Sequence, residues 1–351
     1  MSKVATINDN HNTSTATHGA LSGVSAFDYD VIIVGGGPAG SSAVSICSWL
    51  KKRVCVVDPR GYLWSAPTGA VSKIHRHCGM TYGHPKGRKR VEWSVVDDNL
   101  QTTLERVRKL PLPHEGALTK TKNELAAASN SNSETVYPQS VKVFKGFGRL
   151  TDPHTVEVHT TKESLLSFKG ASRPPRQFGR PIHKITADVI LICSGSIPSH
   201  LPGVPFDKRF VFDSDDILTI GRTPRHILVQ GAGIIGVEYA FIMRQLGAQV
   251  TLVEFMPALL PQLDVDIREA IRLQLEATGI TLILNTVVEV VSVPPLPSSG
   301  VETPADRDVP DCVQVRITPR QTDDAGQPPP RIITCDTFMS CTGRLGNTSG
   351  M

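Results

Sequence analysis

The sequence predicts an α/β protein in which two parallel sheets are each flanked by helices. An apolar run typical of a buried strand ends at a glycine cluster and is followed by a helical pattern and a second strand. This order occurs twice, at residues 30–58 and 226–254. Parallel neighbours need a crossover connection, which is usually a helix. We therefore expect two Rossmann-like units, each with three layers.

Bulk properties limit the classes of function. The chain has 351 residues, enough for two domains, and a mild net charge of +4. The one dense basic run, residues 86–90, has no interleaved aromatic residues, so we expect no nucleic-acid partner. No stretch reaches the ~18 consecutive apolar residues of a membrane span, so no membrane partner is expected. Residues 1–27 are small and polar and predict a disordered lead-in. A cytoplasmic location is expected, with an organellar address as the open alternative.

Cysteine and histidine spacing gives no metal site. None of the seven cysteines forms a two-residue-spaced pair, and reduced thiols are expected. His75 and His77 are separated by one residue, so their side chains point in different directions on a helix or a strand.

The first glycine cluster has the G-x-G-x-x-G spacing of a dinucleotide-binding turn. Gly35 permits the tight turn, Gly37 lets the backbone approach a pyrophosphate, and Gly40 lets helix and strand pack closely. The next helix begins at Pro38 and Ala39, and the free N–H groups of its first turn, which Pro38 itself lacks, face the anion.

The second cluster repeats this spacing with Gly231, Gly233 and Gly236. An acidic residue follows each cluster at the end of the next strand. Asp58 lies 23 residues after Gly35, and Glu254 lies 23 residues after Gly231. A carboxylate there can accept hydrogen bonds from ribose hydroxyls. Because both copies share this spacing, we expect two dinucleotide sites.

The residues after Glu254 indicate which nucleotide the second site takes. A carboxylate repels a 2′-phosphate, and residues 255–260 contain no Arg or Lys to bind one. NAD(H) is expected, with NADP(H) as a further candidate.

These motifs give the chain a family resemblance over residues 28–348. It resembles the flavoprotein pyridine nucleotide-disulfide oxidoreductase superfamily, which has the glutathione reductase fold, and within it the soluble, Si-specific transhydrogenase branch. The matching stretches are 29–40, 72–73, 148–155, 192–198, 213–218, 224–240 and 343–348.

The resemblance implies that the first site binds FAD and the second a nicotinamide nucleotide. It also implies an ion pair of Lys73 with Glu238 beside the two reacting rings, where the cation would stabilise negative charge on a reduced flavin. The remaining cofactor contacts expected from the resemblance are Pro59, Ser194, Gly195, Ile235 and Gly343.

One departure from the family limits the chemistry. Disulfide reductases carry two cysteines four residues apart before the Ser72-Lys73 pair, and residues 64–73 contain none. Thiol–disulfide exchange needs a thiolate, so reduction of lipoamide or glutathione is not expected. Ping-pong hydride transfer between NADPH or NADH and NAD(P)⁺ through flavin needs no disulfide. Two alternatives stay open, an NADH diaphorase resembling dihydrolipoyl dehydrogenase and a truncated, inactive nucleotide-binding remnant.

The expected domains are an FAD-binding domain at 28–215 and an NAD(P)-binding domain at 216–348. The resemblance implies homodimers formed through a C-terminal dimerisation domain, which this sequence lacks, and an incomplete FAD domain. Two local patterns give further expectations. One predicted helical stripe consists of Ala43, Ile46, Cys47 and Leu50, and the apolar run 187–193 should be a fully buried strand.

Overall fold

The computed structural model of the protein describes residues 26–61, 63, 68–84, 90–108, 135–137, 141–159, 179–294, 312–320 and 328–351. Residues 1–25 of the expected lead-in lie outside these ranges. None of the helices in the described part of the chain is long and apolar enough to cross a membrane.

The first sheet has seven strands, and its centre is parallel. Its elements in chain order are β1 (Tyr29–Val34), α1 (Pro38–Trp49), β2 (Val54–Asp58), α2 (Thr68–Tyr82), α3 (Trp93–Arg108), β3 (Thr135–Tyr137), β4 (Val141–Lys145), β5 (Phe147–Asp152), β6 (Thr155–His159) and β7 (Pro181–Ile192). The strand order is β3-β4-β2-β1-β7-β6-β5. Strands β4, β2, β1 and β7 are parallel, whereas β3, β5 and β6 pair antiparallel with their neighbours.

The second sheet has five strands, all parallel. Strand β8 (Ser196–Pro198) comes first in chain order and lies outside this sheet. Strand β9 (Val211–Asp213) follows and is the edge strand of the sheet. Its other elements are β10 (His226–Gln230), α4 (Ile234–Gln245), β11 (Gln249–Val253), α5 (Val265–Ala277), β12 (Thr281–Ile283) and β16 (Thr337–Ser340), in the order β12-β11-β10-β16-β9. The two sheets confirm the predicted α/β class. Strand β9 precedes residue 216, so the second sheet takes its edge strand from the segment that we assigned to the FAD domain.

Two small antiparallel sheets complete the architecture. Strands β13 (Thr286–Ser292), β14 (Val313–Pro319) and β15 (Arg331–Cys335) form a separate three-stranded sheet. Along the chain, these strands come between β12 and β16. Strand β8 pairs with β17 (Arg344–Gly346) in a two-stranded sheet.

Helices α2 and α3 pack on the second unit although they precede it in sequence. Ile74 and Cys78 of α2 and Val96 of α3 share a buried core with Ile242 and Met243 of α4. Fully burying a side chain of this size stabilises the fold by about 1.5–3 kcal/mol. This core therefore joins the two nucleotide-type units.

Helix α1 buries only part of the predicted stripe. Ala43 and Cys47 pack against a buried core, whereas Ile46 and Leu50 are 59% and 53% exposed. The fully buried residues of the helix are Gly40, Ser41 and Val44. The prediction was wrong for Ile46 and Leu50, because the close approach at Gly40 sets the rotation of the helix about its axis. Periodicity alone does not contain that contact.

The apolar run 187–193, which includes the second half of β7, was also expected to be fully buried, and this was wrong. Val189 and Ile192 are 46% and 52% exposed. The cause is pairing: among the described strands, residues 187–192 are hydrogen-bonded to β1 alone, and β6 pairs only with the first half of β7.

Candidate nucleotide-binding sites

The first glycine turn lies between β1 and α1 and has room for glycine only at its two ends. Gly35 has a φ of 108°, and its N–H donates to the carbonyl of Val57 over 2.8 Å. A Cβ on Gly35 would lie 2.3 Å from the carbonyl oxygen of Cys193. A Cβ on Gly40 would lie 1.9 Å from the carbonyl oxygen of Gly35. Larger residues would therefore force the strand and helix apart.

The start of α1 offers main-chain donors to an anion. Gly37 is the N-cap, in an extended conformation, and has no side chain to bond the first helical N–H groups. Pro38 and Ala39 follow in the first turn, and both are exposed. Unpaired N–H groups at an exposed helix N-terminus suit a pyrophosphate.

Asp58 ends β2 beside this turn. Its Oδ2 accepts a 2.8 Å hydrogen bond from the N–H of Gly36, and its Oδ1 accepts one of 2.8 Å from the N–H of Arg60. The carboxylate is buried, and Pro59 after it is half-buried. The acid thus holds the glycine turn against the end of the second strand.

The second turn, between β10 and α4, repeats this geometry atom by atom. Gly231 has a φ of 100°, and its N–H donates to Val253 over 2.8 Å. A Cβ on Gly231 would lie 2.6 Å from the carbonyl oxygen of Cys341, and one on Gly236 would lie 1.9 Å from that of Gly231. Gly233 is the extended N-cap, and a Cβ there would meet no atom within 4 Å. The space over Gly233 is open.

Glu254 takes the place of Asp58 in the second copy. Its Oε2 accepts from the N–H of Ala232 over 2.5 Å, and its Oε1 accepts from the N–H of Met256 over 2.8 Å. Ile235 is partly buried against the core shared with α2, so its side chain supports α4 from within the fold.

A second turn lines each site at the end of the neighbouring parallel strand. Cys193 follows β7 and Cys341 follows β16, and their N–H groups donate to the last residues of β1 and β10 over 2.8 and 2.7 Å. After Ser194, Gly195 has a φ of 74°, and Gly343 has a φ of 117°. A Cβ on either glycine would meet no atom within 4 Å. These turns therefore leave open space at positions expected to contact the cofactors.

The two turns continue into the paired strands β8 and β17. Arg344 of β17 donates to Oδ1 of the buried Asp215 over 2.7 Å and to the carbonyl of Ser196 over 2.7 Å. The N–H of Asn347 donates to the carbonyl of Gly195 over 2.9 Å. The chain that leaves the second sheet is thus bound to the turn of the first.

The predicted pair of Lys73 with Glu238 is not among the described ion pairs. Glu238 is paired instead with Arg76, which lies three residues after Lys73 on α2, while the side chain of Lys73 is exposed. Residues three apart lie on the same side of a helix, so Arg76 takes the position along α2 that faces Glu238. Periodicity could have suggested Arg76. The helical pattern alone does not favour Arg76 over Lys73.

A groove of about 370 Å³ lies beside this ion pair. Its walls are mainly apolar and come from α2, α4, α5 and the segment before α5, and the lining side chains include Met80, Ile234, Phe241 and Leu263. The pair of Arg76 with Glu238 lies in the wall of this groove, next to the first turn of α4.

The cysteines near the two turns are neutral thiols. Burial raises the pKa of Cys193, and burial followed by the charge of Asp213 raises the pKa of Cys341. All seven cysteines are free. Among the described residues, no group of three or more His, Cys, Asp or Glu side chains could hold a metal ion. His75 is buried and His77 exposed, so the two do not face a common site.

Two glycine turns of one geometry, each at the carboxyl end of a parallel sheet, define a protein with two dinucleotide-binding units. The chain matches the pyridine nucleotide-disulphide oxidoreductase family over residues 29–351, and it belongs to that family.

Similar proteins include reductases and a transhydrogenase. The chain is 27% identical over 329 residues to leghemoglobin reductase from Glycine max, covering 92% of this chain and 53% of that protein. It is 29% identical over 270 residues to the soluble pyridine nucleotide transhydrogenase of Mycobacterium tuberculosis, covering 76% and 52%. The solved structure of the HOCl-induced flavoprotein disulfide reductase RclA from Escherichia coli has a TM-score of 0.59 at 19% identity, covering 92% and 58%. The chain thus spans about half the length of the curated relatives.

Proposed function

We propose that the chain is an FAD-dependent pyridine nucleotide oxidoreductase that acts as an NAD(P)⁺ transhydrogenase. FAD would bind the turn after β1, and NAD(H) or NADP(H) the turn after β10. The observation that carries the proposal is the repeated turn. Each copy has a tight glycine, an acid bonded to the turn, and a helix N-terminus with free main-chain donors.

The residues of the first site fit FAD. The open space over Gly195 and the uncapped N-terminus of α1 would accept the pyrophosphate and ribityl portion, with Asp58 near the adenosine ribose. When bound, the flavin would supply the hydride acceptor and donor for two nicotinamide nucleotides that bind in turn. The chain itself would bind and orient these groups and would exclude water from them.

The second site fits a nicotinamide nucleotide in the same way. The open position over Gly233 would take the pyrophosphate, and Glu254 the ribose. The ion pair of Arg76 with Glu238 supplies a cation and an acid beside α4. We propose that Lys73, Arg76 and Glu238 form the charged group that tunes the reaction site, with Arg76 holding Glu238 in position.

Transhydrogenation is preferred to disulfide reduction on chemical grounds. Residues 64–73 contain no cysteine, and Cys193 and Cys341 are held as thiols by burial. Without a thiolate there is no nucleophile for disulfide exchange. The relative named as a soluble transhydrogenase supports the same choice.

A second candidate is an NADH-dependent reductase that passes electrons directly to an external acceptor. The leghemoglobin reductase relative, which covers 92% of this chain, favours it. The two candidates share both nucleotide sites and differ only in the final acceptor. Reduction of thio-NAD⁺ by NADPH would support transhydrogenation, whereas reduction of a dye by NADH without thio-NAD⁺ reduction would support the second candidate.

Two matched glycine variants test the assignment of the sites. Gly37→Ala should abolish FAD retention, measured by the flavin spectrum after gel filtration, and should leave NADH binding in place. Gly233→Ala should do the reverse, because the added methyl group meets no protein atom and can meet only a ligand. Circular dichroism should show both variants folded. A folded wild-type chain that binds neither FAD nor NADH would refute the proposal and favour an inactive remnant.

A further inference from the structure

Arg320 lies beside the ribose-binding acid of the second site although it is distant in sequence. It follows the end of β14, and its guanidinium carbon lies 3.9 Å from the centre of the Phe255 ring. Its Nη1 donates to the carbonyl of Phe255 over 3.1 Å. Phe255 is the residue directly after Glu254. The topology therefore brings an arginine to the segment 255–260, which contains no Arg or Lys of its own.

One residue, Asn285, fixes this position. Its N–H donates to the carbonyl of Met256 over 3.0 Å, and its Nδ2 donates to the carbonyl of Arg320 over 3.0 Å. The N–H of Arg320 donates in return to the carbonyl of Asn285 over 2.8 Å. Asn285 has a φ of 51°, a left-handed conformation that asparagine tolerates better than most residues. The backbone of Arg320 is thus held against the backbone that follows Glu254.

The carboxylate of Glu254 is already engaged by the main chain. Each of its oxygens accepts an N–H hydrogen bond, from Ala232 and from Met256. These dipoles offset part of the negative charge that would repel a phosphate at the neighbouring ribose. From the sequence, the second site is expected to reject a 2′-phosphate for two reasons, the charge of Glu254 and the lack of a nearby cation. Arg320 removes the second.

We infer that Arg320 determines the specificity of the second site by binding the 2′-phosphate of NADP(H). The inference rests on the proposed function, and it gives one site affinity for both nucleotides, as a transhydrogenase requires. An arginine near the ribose is the usual partner of this phosphate. Among the described residues, only Nη1 of the Arg320 side chain makes a hydrogen bond. The side chain is exposed, so its other N–H groups are open to a phosphate.

Arg320→Gln tests this role, with Arg316→Gln as the matched control. Arg316 lies on β14 shortly before Arg320, is partly exposed, and pairs with Glu289. Both variants lose one positive charge, so only local contact separates them. The probes are adenosine 2′,5′-bisphosphate and ADP, bound to the FAD-supplied full chain and measured by isothermal titration calorimetry. Gly233→Ala gives the baseline with the second site blocked.

Arg320→Gln should weaken the bisphosphate about tenfold or more, because a hydrogen-bonded charge pair is lost. ADP should change less than twofold, Arg316→Gln should change neither ligand, and Arg320→Lys should give an intermediate loss because it keeps the charge without the planar fork. Equal weakening of both ligands by Arg320→Gln, or no change in either, would overturn the inference while leaving the site intact. A wild-type chain that binds neither ligand above the Gly233→Ala baseline would refute the proposed second site itself.

Discussion

Acid is expected to weaken the packing of α2 because His75 is buried in its neutral form. The side chain has no exposed surface and lies edge-on to Trp93, with ring centroids 5.5 Å apart. Neither ring nitrogen has a hydrogen-bond partner among the described residues. Burial lowers the pKa of His75 from 6.5 to about 4. The unfolded chain therefore takes up this proton at a higher pH than the folded chain.

The sign and size of the effect follow from proton linkage. The stability that depends on neutral His75 is fully present above the unfolded pKa of 6.5, and it falls as the pH drops towards the folded pKa of about 4. Between pH 7.5 and pH 5, this one group should cost the folded state about 2 kcal/mol. Carboxylates also titrate in this range, so the prediction concerns a difference between two proteins.

The perturbation is His75→Phe, which keeps a ring against Trp93 and cannot titrate. Urea denaturation of the wild type and the variant at pH 7.5, 6 and 5 gives the free energy of unfolding of each. The advantage of the variant should grow by about 2 kcal/mol from pH 7.5 to pH 5. The phenylalanine ring is larger than imidazole and could strain the core, so His75→Gln serves as a second variant that cannot titrate. It should show the same change with pH relative to the wild type. A difference between wild type and both variants that stays constant with pH would refute the reasoning.

Three further outcomes are expected. Gly236→Ala should lower the free energy of unfolding by about 3 kcal/mol in urea denaturation, because its Cβ would lie 1.9 Å from a main-chain oxygen, whereas Gly233→Ala should leave it unchanged. Asp215→Asn should lower it by about 2–3 kcal/mol, since the guanidinium of Arg344 loses a mostly buried partner; an unchanged denaturation midpoint would contradict this. Asp58→Asn should weaken FAD binding in fluorescence titration without loss of helical signal, and tighter binding would speak against its place at the ribose.

The two glycine turns could be predicted from the sequence because their causes are local. Gly35 and Gly231 need a positive φ, and Gly40 and Gly236 lie within a few residues of the oxygen that excludes a side chain. Strand, turn, helix and acid all fall within one short stretch of chain. The local sequence pattern therefore contains nearly all of the interactions that determine each turn.

Contacts between distant segments could not be predicted in this way. Arg320 reaches Phe255 across 65 residues, and Arg344 reaches Asp215 across 129. Nothing near either arginine indicates its partner, because the contact depends on how β14 and β17 are placed by their sheets. Arg76 was overlooked for a related reason, since only the packing of α2 on α4 selects it over Lys73. The family match directed attention to Lys73 instead.

The pairing of β8 with β17 has a mechanical consequence for the two nucleotide sites. Three residue pairs hold the two strands together. Strand β8 directly continues the turn at Gly195, which lines the first site, and β17 directly continues the turn at Gly343, which lines the second. A displacement of either turn would be transmitted along its strand and across this ladder to the other, over a path only a few residues long. Binding at one turn is therefore expected to shift the other turn through these backbone hydrogen bonds, and Arg344 strengthens the connection by its hydrogen bond to the carbonyl of Ser196.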